Sequence, residues 1–258
     1  MRNYVAILLL TLPFVINAET PEEKGLAIII EAEKRDTGWG DSTADLTMIL
    51  RNAQGQESKR AIHHKELEVK GDGDKSLNIF NSPRDIKGTA FLSFTHATKA
   101  DDQWLYLPAL KRIKRISSSN KSGPFMGSEF AYEDISSQEV EKYSYKWIKD
   151  DLLDGKDVFV IERYPEYKHS GYKRSIVWID KEIYMIVKTE YYDRKDALLK
   201  TLTLHDYKQY LNQYWRADRL EMINHLTKKD TTLLWSNYQF KTGLTSRNFD
   251  KNTLKRAR

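Results

Sequence analysis

The chain has 258 residues, with 42 basic and 37 acidic side chains, a formal charge of +5 and no cysteine. The lack of cysteine excludes disulfides and a lipid-modified cysteine anchor, and the mild basic excess is too small to indicate nucleic acid by itself. Fifteen Tyr and six Trp are the stronger bias, and they point to strands and amphipathic pockets.

Arg2 precedes an apolar run from Tyr4 to Ile16 that ends in Ile16-Asn17-Ala18. The run is short of the roughly 20 residues a spanning helix needs and contains Pro13, so residues 1–18 read as a secretory signal peptide cleaved after Ala18. The expected product, residues 19–258, is a single exported periplasmic domain of about 240 residues, enough to bury a core without staples.

Thr20 and Glu23 stand in capping-box spacing, with Pro21 at the first helical position, and predict a helix over 21–35. Leu26, Ile29, Ile30 and Glu33 are expected to follow one face of it, and Gly38 to stop it. From Ser42 the period changes to two, with Ala44, Leu46, Met48 and Leu50 alternating with Thr43, Asp45 and Thr47. Strand patterns follow at 57–69, 75–80, 89–95, 103–107, 143–149, 157–163, 172–180, 183–192, 198–207, 218–227 and 231–240. Most links are short turns such as "GDGD" and "DKE", which only antiparallel neighbours can use. The expected fold is mainly β: one antiparallel meander of ten to twelve strands, too wide to stay flat. It either closes into a barrel or curls into an incomplete one plugged by the helix and loops.

The long link is 108–142. It opens with "PALKRIKRISSSNKSG", whose Lys111, Arg112, Lys114 and Arg115 form the densest charge run. They suit either a solvated edge or a contact for an anionic partner or lipid headgroups. The link continues as "SGPFMGSEFAYEDIS", Ser122 to Ser136, which places Phe125, Met126, Phe130 and Tyr132 among glycines. These four are expected to form a lid that swings over an apolar hollow. Glu129, Glu133 and Asp134 beside them read as solvated loop charges.

Catalytic patterns are weak. Ser128 lacks the second glycine of a nucleophile elbow. Ser118 and Lys121 match S-x-x-K, and Lys241-Thr242-Gly243 matches K-T-G, by letters only, in a Ser-rich loop rather than on a buried helix. The six His are scattered, so no metal is expected, and position twelve of a calcium loop counted from Asp72 is Pro83. No cofactor and no enzymatic activity are expected.

The stretches "KGLAIIIEAEKRDTGWGDSTADLTMIL", "FNSPRDIKGTAFLSF", "DDQWLYLPALKRIKRISSSNKSGPFMGSEFAYEDI" and "IVWIDKEIYMIVKTEYYD" resemble the outer-membrane lipoprotein-sorting family, distant relatives of LolA-like periplasmic carriers. The resemblance covers about 22–240. It implies an incomplete antiparallel barrel with a helical lid, an apolar hollow for acyl chains, and a partner transporter of the resistance-nodulation-division (RND) type. LolA itself closes its hollow with several helices, of which one is evident here. The expectation is a monomeric carrier or acceptor for lipid or lipoprotein acyl chains that touches membranes transiently and binds no nucleic acid. Its candidate cavity wall is Leu46, Met48, Leu92, Phe94, Trp104, Tyr106, Trp147, Ile176, Trp178, Met185 and Val187. Two alternatives are a docking module of the transporter that holds no lipid, and a hydrolase of envelope lipids built on Ser128.

Overall fold

The computed structural model describes residues 18–256, so all of the expected signal peptide except Ala18 lies outside the described residues. The helix α1 forms where expected, at Pro21–Arg35, with both halves of the Thr20–Glu23 capping box in place. Its buried face differs from the expected one. Gly25 and Ile28 are buried, while Leu26 and Ile30 are 40% and 48% exposed. The reason is a close approach: a Cβ on Gly25 would stand 2.7 Å from the backbone nitrogen of Trp147. The missing side chain, rather than the largest apolar one, sets which face docks.

Thirteen strands follow among the described residues: β1 (Asp41–Arg51), β2 (Glu57–Leu67), β3 (Lys75–Ser82), β4 (Ala90–Phe94), β5 (Asp102–Leu107), β6 (Arg112–Ile116), β7 (Tyr143–Leu153), β8 (Lys156–Pro165), β9 (Tyr172–Asp180), β10 (Ile186–Asp193), β11 (Leu198–Tyr210), β12 (Tyr214–Asn224) and β13 (Lys229–Phe240). They make one antiparallel sheet in the order β6-β5-β4-β3-β2-β1-β13-β12-β11-β10-β9-β8-β7, which is not closed into a barrel.

This order is not a plain meander. The chain starts at the centre with β1, walks to one edge at β6, reappears at the opposite edge with β7, and walks back until β13 pairs with β1. Residues 117–142 must therefore carry the chain from one edge of the sheet to the other. The long link is a crossover, and its route over one face follows from the strand order. β6, taken from the sequence as loop, is a short edge strand whose Arg112 and Lys114 pair with Leu107 and Leu105.

Both faces of the sheet are apolar in places. On the inner face Leu46, Met48, Ile62, Phe80, Phe91, Leu105, Leu202, Met222 and Leu233 pack with Phe125 and Phe130 of the crossover. The helix covers another part of that face, Ile28 meeting Tyr145, Ile161, Val177 and Ile179. On the outer face Leu77, Ile79, Ala90 and Leu92 pack under Phe249 and Leu254 of the C-terminal segment.

Candidate functional site: a hollow half filled and half open

The crossover fills its part of the inner face. Phe125 and Phe130 are 1% and 2% exposed, and Phe125 meets Phe80, Phe91 and Tyr132 with ring centroids 6.1, 5.1 and 5.5 Å apart. Met126 and Tyr132 pack against the same cluster. The lid expected to swing is a plug seated in the core, because edge-on and tilted ring contacts and apolar burial hold it there. Ser128, the weak nucleophile candidate, is 2% exposed and donates to the Phe125 carbonyl at 2.7 Å, which closes the plug's turn.

Buried polar groups tie the plug down, and they include the carboxylates read from the sequence as solvated. Glu133 accepts from Tyr167 Oη at 2.8 Å, Ser170 Oγ at 2.9 Å and the Gly171 amide at 2.8 Å. Gly171 has to be glycine here, since a Cβ would stand 2.9 Å from Ser122 Cβ. Asp134 accepts from Tyr172 Oη at 2.9 Å and the Ala131 amide at 2.7 Å; burial pushes its carboxyl up to about 6, against the relief offered by Lys200. Glu129 accepts from Asn224 at 2.6 Å, and Arg60 donates to the Met126 carbonyl. The base of the plug is held by Asp101, 3% exposed and flanked by Lys121 and Lys142. The S-x-x-K lysine is thus one arm of a buried ion triad.

Beside the plug a cavity of about 910 Å³ stays open between α1, the β2–β3 connection, the segment 137–141 and the β9–β10 hairpin. Its apolar lining is Ile29, Ala32, Val140, Tyr145, Ile179 and Ile186. The acidic lining comes from several elements: Glu66, Glu68 and Asp74 around the β2–β3 connection, Glu33 and Asp36 at the end of α1, and Glu139 and Glu141 on either side of Val140. Burial, then the charge of Glu66, pushes the Asp74 carboxyl up to about 8. Burial raises Glu33, Asp36 and Glu139 as well. Arg216 donates to Asp36 at 2.6 Å and lies 5.7 Å from the Trp39 ring centroid at the cavity wall.

The eleven expected wall residues do not share one surface. Met185 alone of them lines the open cavity. Leu46 and Met48 lie under the plug, and Trp147 lies against α1 with Lys24 3.5 Å from its ring. Leu92, Phe94, Trp104 and Tyr106 face outward beneath the C-terminal segment. Ile176 and Trp178 also face outward, since they pair with Glu190 and Lys188, and the Lys188 ammonium sits 4.3 Å from the Trp178 ring. Val187 falls where the β9–β10 register shifts. The carboxylates of the cavity were not singled out by sequence reasoning; only the "GDGD" turn hinted at them.

The geometry defines an open, curled antiparallel sheet that holds an N-terminal helix and a crossover on its inner face, a LolA-like architecture. A family model described as uncharacterized-protein-like matches residues 72–256. The crystal structure of an outer membrane lipoprotein-sorting protein domain from Vibrio parahaemolyticus is 59% identical, covers 91% of this chain and 99% of its own, and superposes with a TM-score of 0.89. A DUF1329 family protein from Desulfovibrio piger is 27% identical over 91% of this chain and 99% of its own, with a TM-score of 0.86. A LolA superfamily protein from Nitrosomonas europaea, 19% identical over 88% of this chain and 98% of its own, shares the fold with a TM-score of 0.71. No curated protein matches. The chain belongs to the family of outer membrane lipoprotein-sorting protein domains.

Proposed function

We propose that the protein is a periplasmic carrier or acceptor that shelters the acyl chains of a lipid or lipoprotein and performs no chemistry. The observation that carries this reading is the open cavity of about 910 Å³ beside the plug. Its volume falls in the range of roughly 300–1,000 Å³ typical of small-molecule sites. A chain of about fourteen methylenes is held from water by roughly 11 kcal/mol, so such cargo needs a sheltered path between membranes. The family resemblance adds an envelope transporter of the RND type as partner, and edge strand β6 with Arg112 and Lys114 is the surface suited to it or to anionic headgroups. The cargo is expected in the cavity, and Ala32→Trp, which places an indole in it, should abolish capture. Native mass spectrometry of protein purified gently from its own envelope should show acyl-bearing cargo on the wild type and none on the variant. Cargo-free wild-type protein would remove the carrier reading.

One observation favours the second reading, a docking module that holds no lipid: the plug already occupies the apolar half of the inner face. On that reading neutralising Lys111, Arg112, Lys114 and Arg115 should abolish capture of a membrane partner, while Ala32→Trp should change nothing.

A further inference from the structure

The cavity's charge is at odds with that of the molecule. Eight carboxylates and three basic side chains line it, in a chain whose formal charge is +5. Two of the three basic groups are already engaged. Arg216 is paired with Asp36, and Arg163 is tied to Gln138 and to Ser175 at 3.1 Å. Some carboxylates have structural work: Glu68 caps the Gly38 and Gly40 amides at 2.5 and 2.8 Å, and Asp72 accepts from His96 at 2.8 Å. The others crowd one another from different elements. Asp74 accepts from the Val69 amide at 3.0 Å and Glu139 from Thr95, yet Asp74 feels Glu66, Glu139 and Glu68, and Glu33 on α1 feels Glu141 and Glu139. Burial works against the Glu66 charge, but His64 and Arg216 hold its carboxyl below the ordinary value, so a full negative charge faces Asp74. Glu33 and Asp36 also sit at the C-terminal end of α1, where the helix dipole is itself negative.

A chain built only to hold an acyl tail gains nothing from this crowding, which raises the free energy of the empty cavity. A positive charge placed among these groups relieves it. On the β9–β10 hairpin Ile179, Tyr184, Met185 and Ile186 line the same space with no carboxylate among them, and they suit a hydrocarbon. We infer that the cavity selects an amphiphile whose polar end carries an ammonium group with no compensating negative charge, the hydrocarbon lying against the β9–β10 hairpin and the cation among the carboxylates of the β2–β3 connection, the end of α1 and residues 139–141. The inference rests on the carrier reading and narrows its cargo.

Isothermal titration calorimetry of the full chain tests it, using dodecyltrimethylammonium and dodecanoate below their micelle concentrations at pH 7.5. The two probes share one chain length and differ in the sign of the head. The net charge of the protein favours the anion, so a preference for the cation has to arise locally. At 50 mM NaCl the cation should bind at least about tenfold more tightly, and the ratio should fall toward one at 0.5 M NaCl as screening shortens the field. The triple variant Glu66→Gln, Asp74→Asn, Glu139→Gln should remove the preference while retaining dodecanoate binding. If that variant does not fold, the salt series on the wild-type protein still decides. Equal binding of both probes, or tighter binding of dodecanoate, overturns the headgroup inference and leaves the carrier reading standing. Binding of neither probe overturns both.

Discussion

The two halves of the inner face solve the same problem in opposite ways. Over β1–β5 and β10–β13 the sheet's apolar side chains are covered by the chain itself, through Phe125 and Phe130. Next to α1 the space is left open and is lined by eight carboxylates, of which Glu33, Asp36, Asp74 and Glu139 are raised by burial. The filled half stabilises the molecule; the open half destabilises it and is available to a ligand.

The comparison breaks most readily at the plug. Phe125→Ala or Phe130→Ala removes a fully buried ring and should cost about 3–5 kcal/mol, read as a drop in the denaturation midpoint. A loss below about 1 kcal/mol would mean that the plug leaves its seat easily and that the filled half is a second cavity in disguise. In that case the added space should bind dodecanoate.

A smaller effect is expected at the other cover. Gly25→Ala drives a methyl into the Trp147 backbone, and overpacking of this kind costs roughly 1–3 kcal/mol. The helix should lift from β7, lowering the thermal midpoint and changing the cavity, whose wall includes Ile29 and Ala32. A neutral substitution would show that α1 is loosely docked and that the cavity's volume is not fixed.

How much of this was legible beforehand follows from the local chemistry. The helix was, because Thr20, Pro21 and Glu23 specify its start irrespective of anything distant. Most strands were, because alternation shows wherever one face meets water. The inward or outward sense of β4 and β5 was not: Phe91 and Leu92 are both fully buried, on opposite faces, so alternation vanishes. That is why Leu92, Trp104 and Tyr106 were placed on the wrong side. The pairing of β1 with β13 brings the start of the sheet beside its end, and local pattern carries no trace of it. With that pairing unseen, the crossover read as a flap and its Glu133 and Asp134 as solvent-facing.

The open half can be sharpened by titration. The unfolded chain releases the Asp74 proton near pH 4, whereas the folded protein holds it to about 8. Between these values the native state binds more protons, so stability falls as pH rises through the window. Asp74→Asn removes this term. Its chemical-denaturation midpoint should match the wild type at pH 4, exceed it increasingly up to about pH 8 and hold a constant lead above that. A constant difference at every pH would show that the gain comes from hydrogen bonding rather than from relief of the crowded charge.

The smallest effect on stability is expected at edge strand β6. Arg115 is engaged by Asp102 at 2.5 Å, while Arg112 and Lys114 are exposed on the side of the strand that faces inward at Leu105 and Leu107. Exposed charges of this kind change stability by no more than about 0.5 kcal/mol. Charge on an edge strand also keeps its unpaired amides from recruiting another sheet. Arg112→Ser with Lys114→Ser should therefore leave the denaturation midpoint in place, raise the tendency to associate in light scattering, and lose binding to vesicles containing anionic lipid. Unchanged vesicle binding with increased association would assign these side chains to protection of the edge alone, and would move the membrane contact elsewhere on the molecule. A drop of more than about 1 kcal/mol would place them in the packing of the plug, which passes directly from this strand into the filled half.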